Sequence, residues 1–232
     1  MISKEFGKPG ADDKITVGVG LIFFNDYSSL KRCLNSIHDL ADIIFAIDGR
    51  FPTFPGDSEF STDGSRELVK SYPKVLLVDC AKPEFEKREK YLEYCALYSV
   101  DILLIIDSDE FVVNGHDCKT FRRNVKTLIF DRDKCMYNVY TVMLQSLDNS
   151  EEFAPYPRVW YNPAKMEYHA GRHYCFRNKE DKETNISGQS DLISKVIEGI
   201  KVGHDHSLRS KYHLQSRSIY QRWFVDFERS LP

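Results

Sequence analysis

The chain has 232 residues, with 32 Lys and Arg against 35 Asp and Glu, a formal net charge of −3, and 42% hydrophobic and 13% aromatic residues. This composition supplies a core of domain size and excludes disordered, collagen-like and coiled-coil chains. The near balance of charge gives no overall attraction to nucleic acid or anionic lipid, so either partner would need a local basic patch.

Residues 1–13, with Gly7, Pro9, Gly10 and several charges, read as a flexible N-terminal tail. The apolar run from Ile15 to Phe24 is ten residues long, where a membrane span needs roughly 20. Asp12 and Asp13 stand where a signal peptide requires positive charge, and no small-x-small cleavage site follows Phe24. The expectation is a cytoplasmic protein with no transmembrane segment. The six cysteines (33, 80, 95, 118, 135 and 175) include no C-x-x-C pair, so they read as free, mostly buried thiols rather than as zinc or redox motifs.

Lys14 to Phe24 is a β-branched and aromatic run typical of a strand buried on both faces. Ser28 is placed to cap a helix in which Leu30, Cys33, Leu34 and Ile37 recur at helical spacing. A second strand, Asp42 to Asp48, ends at Gly49, and a long loop rich in Pro, Gly and aromatic residues covers 50–61. Asp63-Gly64-Ser65 opens a short helix to Ser71, Val75 to Asp79 is a third strand, and a helix over 84–98 carrying Tyr91, Leu92 and Cys95 leads into a strand at Ile102 to Ile106. This alternation predicts a parallel, doubly wound sheet. Beyond residue 111 the pattern changes to a helix over 118–130, an alternating strand from Met136 to Leu144, the aromatic stretch Pro155 to Tyr161, and a strand at Ile200 to Val202. The predicted fold class is α/β: one domain with a Rossmann-like, mostly parallel sheet flanked by helices and a mixed or antiparallel second half.

In such a sheet the ligand lies beyond the carboxyl ends of the strands. Those ends carry Asn25 and Asp26, Asp48, Asp79, and Asp107-Ser108-Asp109-Glu110. Two aspartates one residue apart at a strand end offer hard oxygen ligands to Mg²⁺ or Mn²⁺, with a phosphate completing the shell. The same tripeptide also suits a plain turn or cap.

Asn25-Asp26, Leu34-x-Ser36-Ile37, Ala41-Asp42-x-Ile44, Asp48-Gly49, Ser61-Thr62-Asp63-Gly64-Ser65 and Asp107-Ser108-Asp109-Glu110, in that order, resemble family 2 glycosyltransferases of the glycosyltransferase A fold over residues 14–113. The resemblance implies a metal-dependent, inverting transfer of sugar from a nucleotide-diphosphate donor to a glycan, lipid-linked or other hydroxyl acceptor, with Mn²⁺ or Mg²⁺ as cofactor and no nucleic-acid partner. It implies a nucleotide-sugar-binding half at 14–113 and an acceptor or catalytic half at 114–210 of the same domain. Phe24 and Asn25 would lie against the base and ribose, Asp48 would recognise the base, and Lys87 or Arg88 would meet the nucleotide or diphosphate. Asp107, with Ser108 beside it, would face ribose and metal, and Asp109 would bind the metal. The chain departs from the family pattern at Arg50 to Phe60, an insertion that would shape the donor pocket or act as a lid.

Gly188-Gln-Ser-Asp191-Leu192, followed by an apolar helix and Gly199, is similar to the family segment holding the catalytic base, which makes Asp191 the expected base; a helix cap is its other reading. His204 and His206, extended after a strand, would point the same way and are the expected further metal ligands, with Arg209 reaching the diphosphate. His173 is the alternative acid or base, and the aromatics of Pro157-Arg158-Val-Trp160-Tyr161 suit either a sugar face or the core. An amphipathic helix over 211–232, with Tyr220, Trp223, Phe224 and Phe227 on one face, would dock on the domain, on a second copy as a homodimer, or on a membrane surface. The rival readings are a sugar-phosphate nucleotidyltransferase and a non-catalytic nucleotide- or glycan-binding module.

Overall fold

All seven residues of β1, Val17–Phe23, are buried, and so are all six of β2, Ile43–Asp48. Strands sealed on both faces need elements packed above and below them. The computed structural model describes residues 15–52, 54–113, 118–130, 139–146, 153–169, 172–179, 185–187 and 196–205. In it β1 and β2 alternate with α1 (Tyr27–Ile37), α2 (Ser65–Ser71), β3 (Val75–Asp79), α3 (Glu84–Leu97) and β4 (Ile102–Ile105). The strands run parallel in the order β3-β2-β1-β4.

The second half comprises β5 (Glu110–Val112), α4 (Cys118–Phe130), β6 (Val139–Ser146), β7 (Phe153–Tyr161), β8 (Met166–His169), β9 (Arg172–Asn178), β10 (Asn185–Ser187) and β11 (Val196–His204). The sheet continues as β4-β7-β6-β11-β5, with β7 antiparallel to both its neighbours, while β8, β9 and β10 form a separate antiparallel sheet. The result is the predicted class: a mixed α/β protein whose parallel, Rossmann-like half is flanked by helices.

The pleat divides the core in two. Val17, Val19, Leu21 and Phe23 face Leu30, Cys33, Leu34 and Ile37 of α1, with Phe121 and Val125 of α4 in the same cluster. Ile22, Phe45 and Ile47 face the other way, toward Tyr91, Leu92 and Cys95 of α3. Among the described cysteines, Cys33, Cys80 and Cys95 are buried thiols. No helix among the described residues is long and apolar enough to cross a membrane.

Two local expectations are corrected. Helix α1 starts at Tyr27 after Asp26, with no side-chain cap from Ser28, because the Asp26 carboxylate accepts the hydroxyls of Ser29 and Ser108 and anchors the turn instead. Val196 to Glu198, read as the end of an apolar helix, are strand, since β11 finds β6 on one side and β5 on the other. The N-terminal tail, the proposed helix after Asp191 and the C-terminal helix lie outside the described residues.

Gly20 sets the distance between β1 and α3. A Cβ there would sit 2.7 Å from the Tyr91 ring, and that ring is held by its hydroxyl, 2.7 Å from the Tyr168 hydroxyl. Gly20→Ala should therefore destabilise the fold by about 1–3 kcal/mol through overpacking. Urea unfolding measures it, and an unchanged midpoint would show that α3 can move away at no cost.

Candidate active site

The chain leaves β1 for β2 and β3 on one side and returns to β4 on the other, so the strand order reverses between β1 and β4. That reversal opens the crevice in which doubly wound sheets bind ligands. The turn after β4 carries Asp107, Ser108 and Asp109 into this crevice. Arg88 of α3 donates to Asp107 Oδ1 at 2.7 Å, and Arg158 of β7 donates to Oδ2 at 3.3 Å. Arg158 also donates to Glu110, whose other oxygen accepts the Asp107 backbone N–H at 2.8 Å. Glu84 and the Tyr91 hydroxyl complete the surroundings of Arg88.

These groups are taken from water, and their charge states follow from that. Burial pushes the Glu110 carboxyl up, with the Arg158 charge pulling against it and Asp107 adding to it. Arg158 Nε is buried and, among the described residues, has no hydrogen-bond acceptor. A buried donor in that position suits an anionic oxygen.

Asp109 is met from the opposite edge of the sheet. Antiparallel pairing places His204 of β11 opposite Glu110 of β5, and His204 Nε2 shares a 2.7 Å hydrogen bond with Asp109 Oδ2. Burial lowers the His204 pKa, but the hydrogen bond and charge of Asp109 outweigh it and the net shift is upward. Close pairing of the strands depends on Gly203, where a Cβ would lie 2.4 Å from the Phe111 ring. The guanidinium of Arg32 covers that ring at 3.4 Å and pairs with Asp205.

Carboxylate oxygen and imidazole nitrogen are the donor types Mn²⁺ accepts, so Asp109 and His204 fit a divalent cation chemically. Among the described residues no group of three His, Cys, Asp or Glu side chains is gathered to hold one. Asp107 is instead turned to its two arginines.

At the end of β2, Asp48 has no exposed surface. Its carboxylate accepts the Ser61 N–H and hydroxyl, the latter at 2.6 Å, and Arg66 at 2.6 Å. Arg66 bridges on to Asp79 at 2.8 Å. Asn25 adopts a left-handed φ of 49°; its N–H donates to Ser61 Oγ and its Oδ1 accepts the Thr62 N–H, both at 2.8 Å. Ser108 is buried and donates to Asp26, tying the turn after β1 to the turn after β4. Phe24, also buried, meets Phe54 edge to face. A cavity of about 470 Å³ opens between Phe24 and Asn25 on one side and residues 55–58, Thr62 and Asp63 on the other.

Lys87 and Arg88, one position apart on α3, have different surroundings. Arg88 reaches Asp107, whereas Lys87 is fully buried, donates to the Gly49 carbonyl and lies 3.8 Å from the Phe51 ring centre. Burial lowers the Lys87 pKa to about 7, with the Asp48 charge opposing the shift. Trp160 is core, 1% exposed and packed against Tyr168, so the sugar-face reading of that stretch is not met at Trp160. His173 lies in β9, with its side chain outside the described residues, as are Asp191, His206 and Arg209. Sequence reasoning gave Arg158 no role; a single arginine inside an otherwise apolar strand was the available signal.

No family model matches the chain, and no curated protein matches it. Among solved structures the chain is similar to S. aureus TarS, with a TM-score of 0.41 and 13% identity over 59% of this chain and 23% of that one. It is similar to the Pyrobaculum calidifontis mannosyltransferase PcManGT in complex with GDP-Man and Mn²⁺, with a TM-score of 0.40 and 17% identity over 60% of this chain and 39% of that one. A Leptospira borgpetersenii cytidylyltransferase gives 0.39 and 12% over 64% and 60%. The chain thus spans well under half the length of TarS and PcManGT. Function has to be carried by the side chains of the site.

Two predictions follow from these networks. Removing Arg158 leaves Glu110 buried without its cation, so Arg158→Met should cost about 3–5 kcal/mol in urea unfolding. Adding Glu110→Gln should restore part of that loss; no recovery would mean that Arg158 acts by packing alone. For Lys87, the folded pKa of about 7 lies below the ordinary 10.5, so above pH 7 the unfolded chain holds a proton that the folded chain lacks. Stability should rise with pH between 7 and the ordinary thiol value of 9.0, with a limiting slope of about 1.4 kcal/mol per unit. Lys87→Met should flatten that slope.

Proposed function

We propose that the protein is a glycosyltransferase that moves a sugar from a nucleotide-diphosphate donor to a hydroxyl acceptor. The observation that carries the reading is the convergence of Asp107, Asp109, Arg88, Arg158 and His204 at the reversal between β1 and β4, on a turn that Ser108 ties to Asp26, next in the chain to the cavity-lining Phe24 and Asn25. In this reading residues 14–113 hold the nucleotide sugar and residues 114–210 hold the acceptor.

The leaving group of such a reaction is a nucleoside diphosphate, and its developing charge is what the site must stabilise. Arg88 and Arg158, held in place by Asp107, Glu84 and Glu110, present charge-assisted donors in a space with little water. The Nε of Arg158, buried and without an acceptor among the described residues, is a further donor whose satisfaction by an anionic oxygen would favour diphosphate binding. Asp109 and His204 would hold a divalent cation, with Asp107 or His206 as the further ligand; when bound, the ion supplies positive charge to the diphosphate. The acceptor oxygen attacks the anomeric carbon as the bond from that carbon to the diphosphate oxygen breaks. Asp191 is assigned as the base that takes the acceptor proton, with His173 as the alternative. Arg209 is assigned to the diphosphate.

A nucleotidyltransferase would need a basic, glycine-rich loop after β1 to cradle a triphosphate. Here the turn is Phe24-Asn25-Asp26, and its amide side chain and backbone are fastened to Ser61 and Thr62.

Calorimetric titration of UDP and GDP, each with and without Mn²⁺, tests the reading. One of the two should bind, at least ten-fold more tightly with the ion, and Asp109→Asn should remove most of that gain. Absence of binding by both, in either condition, would overturn the proposal. Asp191→Asn should retain donor binding and lose transfer; if transfer persists, the base lies elsewhere.

A further inference from the structure

The insertion between Gly49 and Ser61 is a built wall. Phe51 and Phe54 are buried with ring centres 4.9 Å apart, and Phe54 meets Phe24. Arg50 donates from its guanidinium to the carbonyls of Phe54 at 3.0 Å and Gly56 at 2.6 Å, and from its backbone N–H to the Glu59 carbonyl at 2.7 Å. Lys87 braces Phe51 from below. The far limb of the insertion is therefore held opposite the end of β1, and the open cleft between them, about 470 Å³, lies within the range of small-molecule sites.

What this cavity can read follows from which polar groups remain uncommitted. Asp48 is sealed beneath it, with its oxygens taken by Ser61 and Arg66. The Asp63 oxygens accept the N–H groups of Tyr27 and Ser65, and the Ser58 hydroxyl donates to the Phe60 carbonyl and accepts its N–H. Asn25 spends its Oδ1 on Thr62, which leaves its amide NH₂ as a donor. Asp57 lines the cavity, is exposed, and its carboxylate has no partner among the described residues. Among the described lining side chains the cavity thus offers one carboxylate, which only accepts, one amide donor, and the Thr62 hydroxyl, which can do either.

We infer that the Arg50–Phe60 insertion reads the nucleobase of the donor and selects guanine, through Asp57 with Asn25. Guanine presents two adjacent donors, N1–H and the 2-amino group, to a carboxylate that can accept both, and its O6 suits the amide. Uracil offers a single N3–H flanked by two carbonyl oxygens, so a carboxylate that accepts the proton also faces a like partial charge. Adenine and cytosine each present one amino donor beside a ring acceptor and cannot fill both carboxylate oxygens. A polar site built for paired donors rejects a ligand that lacks them, because its own groups are left unpaired.

The inference rests on the nucleotide-sugar reading, and the experiment separates the two. The full chain with excess Mn²⁺ is titrated with GDP, IDP, UDP, CDP and ADP. GDP should bind at least ten-fold more tightly than UDP, CDP and ADP, and IDP, which lacks the 2-amino group, should be about ten-fold weaker than GDP. Asp57→Asn, a change on an exposed side chain whose fold is checked by circular dichroism, should weaken GDP by at least ten-fold and tighten UDP modestly, so that the preference for GDP is lost. If UDP, CDP or ADP equals or exceeds GDP, or if Asp57→Asn leaves the GDP preference intact, the inference is overturned, and the nucleotide-sugar reading stands wherever UDP or GDP binds. If none of the five binds, both fall.

Discussion

Two guanidinium groups, brought from α3 and β7, hold the carboxylates of the turn after β4 in a space that excludes most water. Without Arg158, Glu110 would be a buried carboxyl with no cation, and without either arginine it and Asp107 would repel each other. With them, the turn keeps its shape and Asp109 is left to meet His204 from the far side. The pairing is not charge-balanced. Asp26, Asp107, Asp109 and Glu110 outnumber Arg88 and Arg158, and His204 makes up part of the difference with its raised pKa. In the proposed reaction these carboxylates would meet the cation, and the arginines the anion, of a metal-bound diphosphate.

The ends of β1 and β2, where the proposed nucleoside would lie, are organised differently, with most polar groups already satisfied by the protein. Asp48 organises the turn at Ser61 and the start of α2 through Arg66 rather than presenting itself to solvent. Burying it moves any contact with a base outward by one layer, onto the turn after β1 and the insertion. The aromatic residues of the loop then have a physical function: Phe51 and Phe54 supply apolar burial that anchors its described residues, which would lower the ordering entropy lost if a ligand bound there. Lys87 belongs to this scaffold, since its ammonium faces the Gly49 carbonyl and the Phe51 ring.

Much of the first half could be read from local pattern. The runs that became β1, β2, β3 and β4 are short, apolar and bounded by turn residues, and the helices between them repeat at helical spacing, so their parallel arrangement followed from chain connectivity. Asp107 and Asp109 were identifiable because they follow immediately on an aliphatic strand. The second half was less readable. Val196 to Glu198 carry no pattern that separates strand from helix, and β5 is only three residues long, too short to signal itself. Trp160 has the same composition whether it stacks on a sugar or fills a core, and only the packing of Tyr168 against it shows that it is core.

Sequence alone determined the fold class, the alternation of strands and helices through residue 106, and the acidic character of the strand ends, because each depends on neighbours within a few residues. The tertiary structure decided which of those acidic groups face one another, which are spent on the protein, and which remain for a ligand. Arg158 and His204 reach the turn after β4 through pairings of strands 50 to 100 residues away in the chain, and the sealing of Asp48 depends on Arg66 arriving from α2. Register and burial arise from the packing of distant segments, so no local pattern encodes them.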